Sequence, residues 1–274
     1  MPASPPDQVI QPALSVVIIT RNEAHRIERC LRSVAFADEW IVVDSGSSDE
    51  TVAIAQGLGA DVRIYSDWPG FGPQKNRALA LAKGRWVLSL DADELVSDEL
   101  AAAIAQTVAG KDTDLASLPK GYWLLRQSSF CGRVIRYGDW SGDRVLRLFQ
   151  REAGRFSDDI VHERVEVLAP HGQLNGILLH DSVETMADGQ DKMRRYARLG
   201  AIKLRAKRIH KTRAGLAIEP PIRAAWTFFR GLFLRLGIFD GMAGFRIAML
   251  NAQGTYLRYH WAADRSRTLD LNER

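Results

Sequence analysis

Continuous apolar runs recur along the first hundred residues of the chain. The run LSVVIIT at 14–20 is rich in β-branched residues, which is typical of a strand buried on both faces. Similar runs predict further strands at 40–44, at 61–65 and at 85–93, the last of which ends in acidic residues.

Helical patterns separate these strands. The segment 23–36 predicts one helix, and Ser47-Ser48-Asp49-Glu50 reads as a capping box that starts a second helix ending near Leu58. A Gly/Pro loop leads into a third helix that ends at Gly84, and Ser97 is expected to cap a fourth. This alternation predicts a doubly wound, mostly parallel α/β sheet, in which ligands bind at the carboxyl ends of the strands.

Beyond residue 110 the pattern changes to shorter strands and then to helices. We therefore expect a loose lead-in at 1–13 and a catalytic domain at 14–185, followed by a basic and amphipathic helical extension at 186–274. Within the catalytic domain, 14–110 is the expected nucleotide-binding half and 111–185 the expected acceptor half.

Composition narrows the class of protein. The chain is 46% hydrophobic and 26% charged, which argues against disorder of the whole chain. Cys30 and Cys131 form no CxxC motif, so we expect neither a disulfide framework nor a zinc site. The start lacks the pattern of a signal peptide, and no apolar stretch reaches eighteen residues, so we expect a cytoplasmic protein.

Positive charge is concentrated in one segment. Ten Lys and Arg residues, and no acidic residue, lie between Lys192 and Arg213. Such a run favours an anionic partner, which is phospholipid, phosphorylated glycan or nucleic acid. The alternative is a solvated helix face.

Acidic residues follow two of the predicted strands. Asp91 and Asp93 come at the end of the fourth strand, where both could converge on one Mg²⁺ or Mn²⁺ ion that would neutralise a diphosphate. The alternative is a pair of acids favoured by the N-terminus of the following helix. Asp44 ends the second strand and offers a carboxylate to a base or a ribose hydroxyl, unless it serves a helix cap.

Four segments carry a resemblance to a known family. They are SVVIITRNEA (15–24), IVVDSGSSDET (41–51), GPQKNRAL (72–79) and LSLDADE (88–94). Their order and spacing resemble glycosyltransferase family 2, the inverting enzymes with a nucleotide-diphospho-sugar transferase (GT-A-like) fold.

The resemblance implies roles for particular residues. The implied nucleotide-sugar site comprises Thr20, Asn22, Glu23, Asp44, Lys75, Asn76 and Asp91. Asp44 would face the uracil or its equivalent, and Asp91 would face the ribose or the sugar. Asp93 would hold the metal, with the late histidine His180 as a second ligand.

An inverting transfer also needs a general base that deprotonates the acceptor hydroxyl. The motif Val161-His162-Glu163 matches the position of the family's acidic base, which makes Glu163 the favoured candidate. Asp143 is the rival, because it too follows aromatic residues that can stack on a sugar. For either acid, the alternative is a surface carboxylate paired with an adjacent arginine.

The segment 220–262 is apolar, aromatic and basic. Aromatic and aliphatic residues recur in it at helical spacing, and Arg223 and Arg230 share a face. This pattern suits a membrane interface, with a helical hairpin packed on the sheet as the alternative. Gly237 and Gly241 are expected to break the segment into two helices.

The layout as a whole resembles the subgroup that adds glucose to the lipopolysaccharide inner core. The resemblance implies a UDP-glucose donor, a β-1,4 linkage to a core heptose, and a peripheral position at the cytoplasmic face of the inner membrane. Another lipid-linked or capsular acceptor is the alternative, and a non-catalytic sugar-nucleotide-binding protein is an alternative of another class. No nucleic-acid partner is expected, because no recognition motif accompanies the basic run.

Overall fold

The structure is a computed structural model that describes residues 12–110, 117–157, 164–207 and 213–264. The chain forms two compact units. The first comprises Met1–Arg126 and Arg144–His180, and the second comprises Gln127–Asp143 and Asp181–Arg274.

The first unit opens with alternating strands and helices, as the apolar pattern predicts. In chain order these are β1 (Leu14–Thr20), α1 (Ile27–Ser33), β2 (Glu39–Asp44), α2 (Thr51–Gly57), β3 (Asp61–Ile64), α3 (Phe71–Leu81), β4 (Trp86–Asp91), β5 (Glu94–Val96) and α4 (Asp98–Val108). Later strands are β6 (Gly121–Phe130), β7 (Arg133–Val134), β8 (Asp143–Gln150), β9 (Gly154–Phe156), β10 (Val165–Val167) and β11 (His171–Val183).

The main sheet has nine strands in the order β3-β2-β1-β4-β8-β6-β11-β5, with β7 paired to β6. Strand β1 lies between β2 and β4 and is parallel to both, and all seven of its residues are buried. The register pairs Thr20 with Asp44 and Ile19 with Asp91. The carboxyl ends of these three strands therefore meet at one edge, where the sequence predicted a ligand site.

Antiparallel strands extend this parallel half. Strand β8 runs antiparallel to β4, with Leu88 opposite Leu148, and β11 runs antiparallel to β5, with His180 opposite Glu94. The α/β fold class is confirmed. The antiparallel pairing places a late histidine beside the acidic end of β4, although the two are far apart in the chain.

Two helix starts differ from the sequence expectation. Ser47 does not cap a helix: its hydroxyl donates to the Asp44 carboxylate, and α2 begins only at Thr51. Helix α1 begins at Ile27 rather than near Glu23. The expected cap of α4 is confirmed, since the Ser97 hydroxyl accepts a hydrogen bond from the amide of Leu100.

The second unit is helical in its C-terminal part, as predicted. It contains α5 (Met186–Lys207), α6 (Arg213–Phe229), a π turn at Arg230–Leu234, a 3-10 turn at Gly237–Asp240, and α7 (Met242–Ala263). Helix α7 packs against both α5 and α6. Part of the hydrophobic core of the second unit is formed by Phe130, Ile135, Val183, Ile247 and Leu250.

Both cysteines are free, with Cys30 buried and Cys131 exposed. Among the described residues, no helix combines the length and the apolar character that a bilayer crossing requires.

Candidate active site

Two cations hold Asp91 at the end of β4. Lys75 Nζ lies 2.8 Å from Asp91 Oδ1, and an Arg147 guanidinium nitrogen lies 2.5 Å from Asp91 Oδ2. Burial raises the pKa of Asp91, but the ion pairs with Arg147 and Lys75 outweigh it and hold that pKa far below the usual range. Asp91 is therefore an ionised carboxylate at any physiological pH.

Arg147 is shared with a second, fully buried acid. The same guanidinium nitrogen lies 2.7 Å from Glu94 Oε1, and Arg126 lies 3.4 Å from that oxygen. Glu94 Oε2 accepts a hydrogen bond from the backbone amide of Asp91. Burial lowers the pKa of Arg147, but Asp91 and Glu94 outweigh it and raise that pKa. Glu94 and Arg147 thus fix both the backbone and the side chain of Asp91.

Asp93 has a different partner from Asp91. Its Oδ2 lies 3.3 Å from Nε2 of His180, and both side chains are largely buried. The pairing of β11 with β5 produces this contact, because it places His180 opposite Glu94, one residue beyond Asp93. The structure thus brings together Asp93 and His180, the two residues expected to bind metal.

The donor chemistry of Asp93 and His180 fits a divalent ion. Two ligands about 2.1 Å from an octahedral ion lie about 3 Å apart when they are adjacent, which is close to the 3.3 Å separation of the two donor atoms. Among the described residues, no group of three or more His, Cys, Asp or Glu side chains is arranged to hold a metal. An ion here would take its other ligands from diphosphate oxygens and water, as Mg²⁺ commonly does.

Asn22 ties the loop after β1 to the loop after β2. Its backbone lies in the left-handed region, with φ at 56°. Its amide donates to the Ser47 hydroxyl at 2.8 Å, and its side-chain oxygen accepts from the amide of Ser48 at 2.8 Å. Asn22 therefore shapes the predicted nucleotide pocket through its hydrogen bonds to this loop.

Asp44 is fully buried and serves the same loop. One carboxylate oxygen accepts from the amides of Gly46 and Ser47, at 2.9 and 2.8 Å, and the other accepts from the Ser47 hydroxyl. These bonds occupy the carboxylate with the turn that follows β2 and not with a helix cap, since α2 begins only at Thr51.

Thr20 and Glu23 stand at the start of the loop after β1. The Thr20 hydroxyl is buried and has no hydrogen-bond partner among the described residues. Burial raises the pKa of Glu23, and the nearby Asp93 adds to the rise, while the ion pair with Arg26 opposes it. A buried hydroxyl left without a partner is suited to a ligand bond.

Helix α3 presents Lys75 to Asp91 but uses Asn76 differently. Both ends of the Asn76 side-chain amide are bonded to the backbone of Phe156, each at 2.9 Å. Asn76 therefore fastens α3 to β9. The neighbouring Gln74 is fully buried and donates to the Ser45 hydroxyl at 3.1 Å.

Only one of the two candidates for the general base lies among the described residues. Glu163 and its neighbour His162 lie outside the described residues. Asp143 is the first residue of β8 and is exposed.

Sequence reasoning missed Glu94, Arg147 and Arg126. Glu94 directly follows the Asp91-Ala92-Asp93 motif, and Arg147 interrupts the apolar strand RVLRLF. A charged residue within an otherwise buried strand is the signal that would have marked Arg147, because arginine is seldom buried unless it is paired.

Comparison with known proteins decides the family. The sequence model of glycosyl transferase family 2 matches residues 15–124. An uncharacterized glycosyltransferase from Rickettsia bellii is 31% identical over 263 residues, covering 92% of this chain and 86% of the relative. The chain belongs to glycosyltransferase family 2. It is therefore a glycosyltransferase, and its α/β sheet is the GT-A-like sheet of nucleotide-sugar transferases.

Two further likenesses concern proteins with more specific names. The lipopolysaccharide core biosynthesis glycosyltransferase LpsC of Rhizobium meliloti is 29% identical over 261 residues, covering 90% of this chain and 93% of the relative. The crystal structure of S. aureus TarS 1–349 in complex with UDP is 16% identical, with a TM-score of 0.41, and covers 92% of this chain and 90% of that one.

Proposed function

We propose that this family 2 enzyme is an inverting, metal-dependent transferase that moves glucose from UDP-glucose to a heptose of the lipopolysaccharide inner core. The observation that carries the proposal is the group at the end of β4, where Asp91 is held by Lys75 and Arg147 and Asp93 lies beside His180. The name of the Rhizobium meliloti relative supports a lipopolysaccharide core acceptor.

Asp91 acts as a fixed hydrogen-bond acceptor. Its low pKa keeps it ionised, so it can accept a bond from a ribose or sugar hydroxyl, and its two cations hold it in place. The same low pKa makes Asp91 a weak base near neutral pH, since an effective general base has a pKa near the working pH. The proposed base is therefore another acid, Glu163 or Asp143.

Asp93 and His180 are the residues that would hold Mg²⁺ or Mn²⁺. When bound, such an ion supplies positive charge to the diphosphate leaving group. The proposed nucleotide pocket lies at Thr20, Asn22 and Glu23, where Asn22 joins the loops after β1 and β2. Asp44 supports it by holding the turn after β2. The Asp91 side chain is partly exposed, and the proposal assigns it to the ribose or the sugar of the donor.

The proposed acceptor is a glycolipid at an anionic membrane. The enzyme would work peripherally at the cytoplasmic face of the inner membrane, where the glycolipid is reached. Another lipid-linked or capsular acceptor is the nearest alternative within the family.

The test is a donor and acceptor screen with Mg²⁺ or Mn²⁺ and deep-rough lipopolysaccharide, measuring released UDP and labelled sugar on lipid. We expect Asp93→Asn to lower turnover about a hundredfold or more, because several kcal/mol of transition-state stabilisation would be lost with the metal. The matched control is Asp98→Asn in the exposed first turn of α4, which should leave turnover unchanged.

The possible outcomes separate the readings. Full turnover in Asp93→Asn would refute the metal role, provided that its free energy of unfolding equals that of the control. Donor hydrolysis with no transfer to this acceptor would favour another lipid-linked acceptor, and binding without turnover would favour a non-catalytic protein. In the same assay, loss of transfer in Glu163→Gln but not in Asp143→Asn would assign the base to Glu163.

A further inference from the structure

A row of large apolar side chains lies exposed along helix α6. Ile218, Ile222, Trp226 and Phe229 follow one another at intervals of four, four and three residues. At 100° per residue this spacing places them within an arc of about 80° on the helix. Each of these side chains is exposed, and Ile222 is 61% exposed. A soluble helix normally turns such a face toward a core.

The exposed row continues through the turn and onto the start of α7. The Phe229 ring lies 5.3 Å from the ring of the exposed Phe233. Further exposed apolar residues in this segment are Leu234, Leu236, Ile238, Phe239, Met242 and Phe245. We call the exposed apolar side chains of residues 218–245 the apolar face. A concentration of this kind marks an interaction site.

The charge beside the apolar face is positive. Residues 218–249 contain four arginines and two acids. The two acids are covered: Glu219 is paired with Arg223, and Asp240 is buried and accepts hydrogen bonds from the amides of Arg136 and Tyr137. Arg230 is paired with Asp139, whereas Arg235 and Arg246 are both exposed. The surface thus offers apolar area and cations together.

We propose that the apolar face is the surface by which this protein docks on an anionic lipid bilayer. An amphipathic helix that lies in the interface places its aromatic and aliphatic face at the acyl boundary and its basic residues among the anionic headgroups. Trp226 and the neighbouring phenylalanines suit that depth. The inference rests on the membrane contact in the proposed function, but not on its donor chemistry.

A second copy of the chain fits this surface less well. A symmetric dimer formed through the apolar face would bring the same patch of each subunit together. The exposed arginines of the two copies would then lie near each other, and like charges placed together at an interface oppose binding. An anionic bilayer accepts both the apolar side chains and the arginines.

Part of the preceding basic run has a structural task. The Arg205 guanidinium donates to the backbone oxygens of Trp261 and Asp264, at 2.7 and 2.6 Å, and so fastens the C-terminal end of α7. Arg194, Arg195 and Lys203 of the same run are exposed. The apolar face, rather than the length of the basic run, therefore carries the inference.

The experiment is sedimentation of the full chain with phosphatidylglycerol/phosphatidylcholine vesicles and with pure phosphatidylcholine vesicles, without sugar nucleotide. We expect binding to the anionic vesicles that weakens as salt rises, because screening reduces the contribution of the arginines. The double variant Ile218→Ser/Ile222→Ser should bind at least about tenfold more weakly, since two apolar side chains no longer enter the interface.

The matched control removes equally exposed apolar side chains elsewhere. Ile64 is 57% exposed on β3, and Leu168 is exposed after β10. The variant Ile64→Ser/Leu168→Ser should bind vesicles like the wild type. Equal loss in both double variants, or equal binding to both kinds of vesicle, would overturn the proposal.

Size-exclusion chromatography tests the second-copy alternative. A wild-type dimer that Ile218→Ser/Ile222→Ser converts to monomer, with no vesicle binding, would assign the apolar face to self-association and overturn the proposal. Release of UDP from UDP-glucose in solution is measured on the same variants. Loss of vesicle binding with normal UDP release would leave the donor site unaffected, whereas absence of UDP release with normal vesicle binding would count only against the proposed function.

Discussion

The strand ends of the first unit and helix α6 of the second unit depart from ordinary burial in opposite directions. At the end of β4, the charged groups of Glu94 and Arg147 are buried. Along α6, Trp226 and Phe229 are exposed. Buried charges and exposed apolar patches are the two informative exceptions to normal protein surfaces.

The buried charges at the end of β4 and the exposed apolar row of α6 differ in what each costs the folded chain. The buried charges of Glu94 and Arg147 are paired with each other, and the desolvation that they suffer is offset by ion pairs and by a bond to the Asp91 amide. The apolar row of α6 needs no such compensation, because exposed apolar side chains cost a folded chain little. Substitutions at the strand ends should therefore change stability strongly, and substitutions of the apolar row should act mainly on association.

The largest expected effect is that of Arg147→Met. It leaves Glu94, which is fully buried, without its closest cation, so the free energy of unfolding should fall by about 3–5 kcal/mol. Urea denaturation measures the change. The matched control is Arg32→Met, because Arg32 forms an exposed ion pair with Glu28 and its removal should cost less than about 0.5 kcal/mol.

A second substitution makes this prediction sharper. Adding Glu94→Gln to Arg147→Met removes the uncompensated charge, so the double variant should be more stable than Arg147→Met alone. A double variant that is less stable than either single variant would show that shape, rather than buried charge, dominates at this site.

An intermediate effect is expected for Gly244→Ala at the start of α7. A Cβ added at Gly244 would meet the carbonyl oxygen of Gly237 at 1.8 Å, so the turn between α6 and α7 would have to open. The free energy of unfolding should fall by about 1–3 kcal/mol. A Cβ added at Gly57 in α2 would meet no atom within 4 Å. The control Gly57→Ala should therefore stabilise the chain by about 0.5–1 kcal/mol. Two equal losses would mean that the close contact is not the cause.

The smallest expected effect is that of Glu23→Gln, and it depends on pH. Because the pKa of Glu23 is raised by burial, the folded chain binds its proton more strongly than the unfolded chain does. The stability of the wild type therefore falls, relative to Glu23→Gln, as pH rises from the ordinary titration range of a glutamate through the raised pKa of Glu23. Chemical denaturation across this pH range measures the difference in the free energy of unfolding. If the wild type became more stable than Glu23→Gln as pH rises, the ion pair with Arg26 would dominate.

The sequence predicts the parallel half of the sheet well. Continuous apolar runs mark β1, β2 and β4, and parallel strands of this kind are buried on both faces. The capping box at Ser47 was wrong for a local reason. A serine near an aspartate has two competing partners, and here its hydroxyl bonds to Asp44 instead of the next helix.

The site was predicted only in part. Asp91 was found because it ends a predicted strand, and Lys75 was found through the resemblance carried by the segment GPQKNRAL (72–79). The partners of Glu94 could not be predicted, because β8 brings Arg147 beside β4 from far along the chain.

 The ion pair of Glu94 with Arg147 joins residues that are 53 positions apart, and such long-range pairing is set by the tertiary fold. Asn76 was placed near the nucleotide by resemblance, whereas its side chain bonds to the backbone of Phe156.

Strand β3 ends one side of the sheet and has a consequence for solubility. It is only four residues long, and its exposed Asp61 and Arg63 form an ion pair with N–O separation of 2.8 Å. An incoming strand from another molecule would find few backbone groups to pair with and would have to strip water from both charges. This edge therefore protects the sheet from growing into aggregates during expression and storage at high concentration.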